Sequence, residues 1–213
     1  MKVCMKQLLA LVMAACATCA TAGGLEALES FVKSVRTGRA DFTQVVTAPA
    51  REGQTARVKT SSGSFEFSRP NRFRFSYKKP FEQIIVADGQ TLWLYDLDLN
   101  QVSARRQAQV LGSTPAALIA SAPDLKALQA WFTLAEAPQK EGLEWVIATP
   151  RSKDSSLQSI AVGLRGAELA VLEILDSFGQ KSVLRFSAFV ANAPLPASSF
   201  EFKPPPGVDV IRQ

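Results

Sequence analysis

Between residues 65 and 77 the chain alternates with period two. Phe65, Phe67, Phe73, Phe75 and Tyr77 share one parity, and Glu66, Arg72, Arg74, Ser76 and Lys78 share the other. Successive side chains of a strand point to opposite faces, so the stretch predicts antiparallel strand with an aromatic face turned inward and a solvated face outward. Arg69-Pro70-Asn71 interrupts the alternation and marks a bend, since proline has no N–H to give to a ladder. Several large aromatics on one face cannot stay in water. Whatever this chain folds into must cover that face.

The flanking sequence supplies more strand and a few covering helices. Residues 39–47 form a strand centred on Phe42. Ile84-Ile85-Val86-Ala87 and Thr91-Leu92-Trp93-Leu94-Tyr95 flank Asp88-Gly89, a strong hairpin signal for a type I′ turn. Further strands are expected at 100–106, 131–135, 143–149, 157–164, 169–175 and 182–189, and a short edge strand at Phe200–Phe202 runs into Pro204-Pro205-Pro206. Leu25, Leu28, Val32 and Val35 keep helical spacing with Phe31 beside them, predicting a helix over 25–36 that Gly38 stops. A short helix is expected from Thr114 as cap, with Pro115 in its first turn, to Ala120, and a second short piece over 124–130. The pattern reads as a mainly β fold of about nine or ten strands in a meander. The economical architecture is one strongly bent antiparallel sheet, curled toward a barrel, with short helices on its concave side. A β-sandwich is the fallback.

The N-terminus reads as an export signal. Lys2 and Lys6 precede an apolar run from Leu8 to Cys16, and Ala20-Thr21-Ala22 fits the small-residue cleavage pattern. The run is too short for a transmembrane helix, which needs about twenty apolar residues. Residues 1–22 are therefore read as signal and 23–213 as a single domain. Cys4, Cys16 and Cys19 and all three methionines lie inside the signal. A chain of 191 residues builds a core without disulfides. Met13-Ala14-Ala15-Cys16 is a poor lipidation motif, yet a lipid on Cys16 would tether the protein to a membrane. Beyond the signal, 22 basic residues face 19 acidic ones, largely interspersed. The densest basic group, Arg69 to Lys79, is too modest for this compartment to imply nucleic acid.

Little catalytic equipment remains after export. The whole chain has no histidine and residues 23–213 no cysteine. This removes Ser-His and Cys-His nucleophiles, imidazole ligands and thiolates. Ser30-Phe31-Val32-Lys33 matches a serine–lysine spacing, but on an ordinary amphipathic helix without companion motifs. Asp96 and Asp98 are spaced to hold a cation, but they sit where a hairpin strand runs out, and a solvated turn is much the better explanation. No carboxylate pair stands out for hydrolysis, and no catalytic residue, metal ligand or cofactor is assigned. The aromatic sheet face is, by contrast, how proteins hold a lipid-like ligand.

Several motifs carry a resemblance. Phe42-Thr43-Gln44, Arg69-Pro70-Asn71-Arg72-Phe73-Arg74-Phe75, Ala87-Asp88-Gly89 and Leu92-Trp93-Leu94-Tyr95-Asp96 come first. Gln101-Val102, Thr114-Pro115 with Leu118-Ile119, Asp176 with Gly179-Gln180, and Phe200-x-Phe202-x-Pro-Pro-x-Gly207-Val208 follow. In order and spacing the set resembles the outer-membrane lipoprotein carrier family, LolA, over essentially all of 23–213. The resemblance implies an incomplete, half-open antiparallel β-barrel whose hydrophobic cavity is lidded by short helices. It implies a monomeric periplasmic carrier and no enzyme, taking lipoproteins from an inner-membrane ABC transporter to an outer-membrane receptor. It also implies roles for residues. Arg69 would hydrogen-bond the lid and hold the empty state closed, and Phe73 would serve cargo transfer. Phe42, Phe75, Ile85 and Ile119 would line the acyl-chain cavity. Phe75 stands where the family also uses Trp, and Arg72 and Arg74 put unusual charge around Phe73. On the residues, a receptor lipidated at Cys16, a periplasmic lipid-sensing domain and a carboxylate hydrolase remain as other readings.

Overall fold

The structure is a computed structural model that describes residues 23–212 except 51, 52, 54, 111–114 and 116. The expected signal, Cys16 and the expected Thr114 cap lie outside the described residues. Helix α1 (Gly24–Ser34) buries Ala27, Leu28, Phe31 and Val32 along one stripe. Glu26 in its first turn and Lys33 in its last complement the helix dipole, and Lys33 pairs with Glu29 one turn back. Helix α1 ends without help from glycine. Val35 is already extended, and its N–H closes on Phe31 O at 3.0 Å.

Strand β1 (Thr37–Thr47) follows at once, so Gly38 lies within a strand and is not the helix stop expected above. Its lack of a side chain has another use. A Cβ there would strike the ring of Phe67 and approach that of Phe189 at 3.3 Å. The glycine lets an aromatic ring lie flat against the backbone.

The chain continues through β2 (Val58–Ser68), β3 (Arg72–Lys79), β4 (Gln83–Asp88), β5 (Thr91–Asp96) and β6 (Gln101–Arg106). A covering segment comes next: α2 (Gln107–Val110), a π-helical turn Ala117–Ser121 and α3 (Leu125–Trp131), whose cap Asp124 accepts from Ala127 N–H at 2.8 Å. Strands β7 (Phe132–Lys140), β8 (Leu143–Pro150), β9 (Leu157–Arg165), β10 (Glu168–Asp176) and β11 (Lys181–Ala191) complete the meander. A 3-10 turn, Ala197–Phe200, leads to β12 (Asp209–Arg212).

Among the described residues, twelve strands form one sheet, in the order β12-β6-β5-β4-β3-β2-β1-β11-β10-β9-β8-β7, and its two end strands do not pair. The mainly β, half-open architecture is the one expected. Twelve strands replace the nine or ten foreseen. The bend at 69–71 divides the aromatic alternation into two full strands, paired Phe65 to Phe75 and Phe67 to Phe73.

Three local expectations change. The hairpin at Asp88-Gly89 forms, but Asp88 ends β4 and Gly89 alone takes positive φ, at 102°. Positive φ confined to the first loop residue is the II′ pattern and not I′. The tail strand is also displaced. Phe200 closes a 3-10 turn, and the edge strand forms beyond the prolines as β12, parallel to β6. Residues 204–206 have no N–H to pair. Finally, the helix expected over 114–120 appears as the π-helical turn Ala117–Ser121.

The tail gives half of the outer face a second cover. Phe202 lies 5.5 Å from the Trp93 ring and 5.9 Å from that of Tyr95, while Phe200 is buried. Val86, Val102 and Ala104 are accordingly buried on the convex side. On the other half of the sheet a second buried cluster, Leu143, Trp145, Ala170 and Val171, forms away from the concave core, with Leu143 and Trp145 on the face of β8 opposite Val146 and Ala148.

Gly38→Ala tests the flat packing of Phe67. The added methyl forces the ring to shift, and we expect a loss of about 1–3 kcal/mol in urea unfolding. An unchanged midpoint would mean that the ring moves aside freely.

Candidate functional site

The concave face is built from residues of one parity on neighbouring strands. Cross-strand register sets Phe65 opposite Phe75 and Phe75 opposite Ile85, while Phe42 lies opposite Phe186 on β11. The rings then interlock. Phe65 stacks on Phe75 at 4.4 Å, Phe42 meets Phe75 edge-on at 5.6 Å, and Tyr77 meets Phe42 edge-on at 5.0 Å. Burial pushes the Tyr77 hydroxyl up to about 12, and it donates to Gln44 Oε1 at 3.0 Å. The hydroxyl therefore stays neutral and marks the polar end of the aromatic row.

The structure gathers the residues expected to line a cavity. Phe42, Phe73, Phe75 and Ile119 belong to one buried cluster, and Ile85 packs against it half-buried. Phe73 is 3% exposed, so it presents no surface to a partner while the cover is in place. The cover has two parts. Helix α1 contributes Leu28, Phe31 and Val32, and the segment after β6 contributes Leu118, Ile119 and Leu128. Together they fill the concave face. A cleft of about 600 Å³ lies elsewhere, lined by Asn71, Gly89, Gln107, Trp131, Arg151 and Asp154 among others. A second cleft, about 430 Å³, reaches the Tyr77 end of the aromatic row beside Gln44 and Phe81.

Arg69 sits at the edge of this cover, 9% exposed. Its Nη1 donates to Phe31 O at 3.3 Å and to Val35 O, at the C-terminal end of α1. That end is the negative pole of the helix and suits a cation. The guanidinium carbon also lies 4.6 Å from the Phe31 ring centre and 5.2 Å from that of Phe67. Burial, and secondly the positive charge of Arg36, pull Arg69 from 12.5 down to about 9. Its Nε and Nη2 have no hydrogen-bond partner among the described residues. The cation is held, but it is incompletely paired.

Arg69 thus grips α1. The turn Ala117–Ser121 is met by its neighbour Asn71, whose N–H donates to Ala120 O at 2.8 Å. The Asn71 carbonyl accepts from Gln107 Nε2 at 2.6 Å, and Gln107 Oε1 accepts from Gly89 N–H at 2.9 Å. Asp88 stiffens that hairpin by accepting from the N–H groups of Gln90 and Thr91 and from the Trp93 indole. Burial alone would raise the Asp88 carboxyl; the bonds from Thr91, Trp93 and Gln90 outweigh it and hold the group below its usual range. A depressed acid stabilises the fold above its ordinary titration range, and this support goes only as pH falls through the lowered value.

Sequence reasoning named neither Phe31 nor Phe67 as the seat of Arg69, and it missed Gln107. The parity of Phe67 was a usable signal. Nothing in Arg106-Gln107-Ala108 distinguishes a buried glutamine from a solvated one. Two other sequence features resolve into structural roles. Asp96 Oδ1 accepts from Leu99 N–H at 3.1 Å in a turn, and Ser30 O accepts from Ser34 Oγ along the exposed side of α1. Among the described residues no cluster of three or more metal-ligating side chains occurs. Nor, among them, is any helix long and apolar enough to cross a membrane.

Arg69→Leu tests the grip on α1. Leucine keeps apolar bulk but removes both hydrogen bonds to α1, so the covered state should weaken, with amide protection along α1 falling about tenfold (~1.4 kcal/mol) and ligand uptake retained. Unchanged protection together with unchanged ligand retention would count against a latch.

Known proteins resemble this chain in sequence over most of its length. Residues 33–203 match the family model described as outer membrane lipoprotein carrier protein LolA. A curated relative from Albidiferax ferrireducens, named outer-membrane lipoprotein carrier protein, is 71% identical, covering 98% of this chain and 100% of its own. One of the same name from Methylibium petroleiphilum is 56% identical over 89% of each chain. A solved LolA-superfamily protein from Nitrosomonas europaea has TM-score 0.49 and 12% identity, over 84% of this chain and 97% of that one. By its sequence from residue 33 to residue 203, the chain belongs to the LolA family of outer-membrane lipoprotein carrier proteins.

Proposed function

We propose that this LolA-family protein carries lipoproteins through the periplasm with their acyl chains laid on the concave aromatic face. Family membership supports the lipoprotein cargo. The observation that carries the acyl-chain reading is the row Phe65, Phe75, Phe42 and Tyr77, apolar, continuous and closed off by movable pieces. A hydrocarbon chain in water costs about 0.8 kcal/mol per CH₂, so a carrier must hide most of its length. The cover hides the same wall when no cargo is present. Cargo therefore binds with the affinity of the wall reduced by the cost of displacing the cover, which keeps release to the next protein feasible.

The remaining assignments follow the same reading. Phe42, Phe75, Ile85 and Ile119 contact acyl chain, Arg69 sets the closed state, and Phe73 serves transfer. Residues 1–22 direct export and are removed, leaving 23–213 as one soluble, monomeric carrier domain. An inner-membrane ABC transporter supplies the cargo and an outer-membrane lipoprotein receptor accepts it. No step requires a catalytic residue or a cofactor.

The test is to load the purified protein with a lipidated peptide and follow its passage to acceptor vesicles bearing the receptor. Wild type should keep the peptide soluble and then deliver it; failure to solubilise it would refute the reading. Phe73→Glu puts a carboxylate between Phe75 and the cover. We expect the strand signal in circular dichroism to persist and transfer to fall at least tenfold. Normal transfer by that variant would remove Phe73 from the pathway.

A further inference from the structure

We infer that the free edge of the Arg69 guanidinium is a carboxylate site, and that its ligand is a long-chain fatty acid anion with the hydrocarbon laid on the aromatic face. The inference rests on the carrier reading above only for where the hydrocarbon lies. A guanidinium is planar and carries its N–H donors in fixed directions. Nη1 donates to the carbonyls of Phe31 and Val35, at the end of α1. Nε and Nη2 share the edge of the plane opposite Nη1. Both atoms are buried, and neither has a hydrogen-bond partner among the described residues. An edge of this kind meets a carboxylate with two parallel hydrogen bonds.

The surroundings leave the charge uncompensated. Arg69 forms no ion pair among the described residues, and the charge that bears on it, Arg36, is positive. An exposed arginine answers its spare donors with water, whereas Arg69 is 9% exposed. Unanswered buried donors are costly, so a carboxylate that reaches this edge gains bonds without first stripping water from the arginine. A carboxylate also brings one negative charge to balance one positive, where a phosphate monoester would bring nearly two.

The same corner specifies the apolar part of the ligand. Phe67, one of the two rings against the guanidinium, stacks on Phe65 at 5.7 Å, and Phe65 stacks on Phe75. Phe42 and Tyr77 continue the row. One cationic fork is thus joined to one long apolar wall, which matches an anionic head on a single hydrocarbon chain. Head and helix do not compete, because the carboxylate and the end of α1 use different nitrogens of Arg69. The hydrocarbon takes the wall, so a fatty acid and the acyl chain of a lipoprotein exclude one another there.

Lauric acid and methyl laurate test this on the purified exported protein at about pH 7, where a carboxylic acid is ionised. The two share a hydrocarbon chain and differ in the carboxylate. Each is made to displace a neutral apolar dye, and the readout is the ratio of their dissociation constants. A general change in the cover alters both constants and leaves the ratio. Wild type should prefer the acid by about tenfold or more, the scale of charge-assisted hydrogen bonds. Arg69→Leu should lose the preference and still bind the ester. Arg69→Lys, which keeps a charge without the fork, should retain only a small part of the preference. In nitrogen-15 NMR of wild type, the Arg69 Nε–H resonance, assigned by its absence from both variants, should move downfield with the acid and stay in place with the ester. Equal binding of acid and ester by wild type, an undiminished preference in either variant, or an unmoved Nε–H would each overturn the site. An undiminished preference would place the head at another cation, such as Lys59 at the Tyr77 end. If acid and ester bind equally, only the carboxylate site falls; if neither binds, the acyl-chain reading falls with it.

Discussion

The concave side of the sheet presents interlocked aromatic rings that water does not tolerate, and the rest of the molecule is arranged around hiding them. Fully burying one large apolar side chain contributes roughly 1.5–3 kcal/mol. Leu28, Phe31 and Val32 of α1 and Leu118, Ile119 and Leu128 of the later segment do this on the inner face. In the function proposed above, the surface that stabilises the empty protein is also the one offered to cargo, so cover and ligand would compete for a single apolar wall.

The polar contacts around the cover are few, and their imperfection is informative. Arg69 is a buried cation with two unpaired donors, seated on two aromatic rings and the end of a helix. A carboxylate beside it would pair it fully and make opening expensive; none of its contacts is acidic. The wall itself is chemically plain. With no histidine in the chain and no cysteine or methionine after residue 22, it has neither a nucleophile of those types nor a flexible thioether to adapt its shape. Adaptation falls to movement of the cover.

Much of this was legible because period two survives in the sequence wherever one face of a strand is buried. The parity of Phe65 to Tyr77 fixed the inner face, and Asp88-Gly89 fixed the hairpin, although the wrong turn type was assigned. What failed depended on partners remote in sequence. Gly38 looked like a helix stop because its true neighbour, the Phe67 ring, is 29 residues away in an adjoining strand. The parallel return of β12 to β6 cannot be read from a run of prolines. Burial of Val86 and Val102 likewise depends on the tail lying over their face of the sheet. Gln107 was invisible for a related reason: burial and pairing of a polar side chain are properties of its surroundings.

The passage of the tail across the outside has a mechanical meaning. From β11 the chain traverses the backs of β3 to β6 before joining the edge of the sheet at β12. It is tacked down by Arg74 to Ser199 O at 3.4 Å and by Asn100 to Gly207 O at 3.4 Å. Prolines at 204–206 have fixed φ and cannot coil up spare length. The arrangement acts as a strap on the outside of one half of the open sheet, tied at the β12 edge, where it resists sharper bending of β3 to β6.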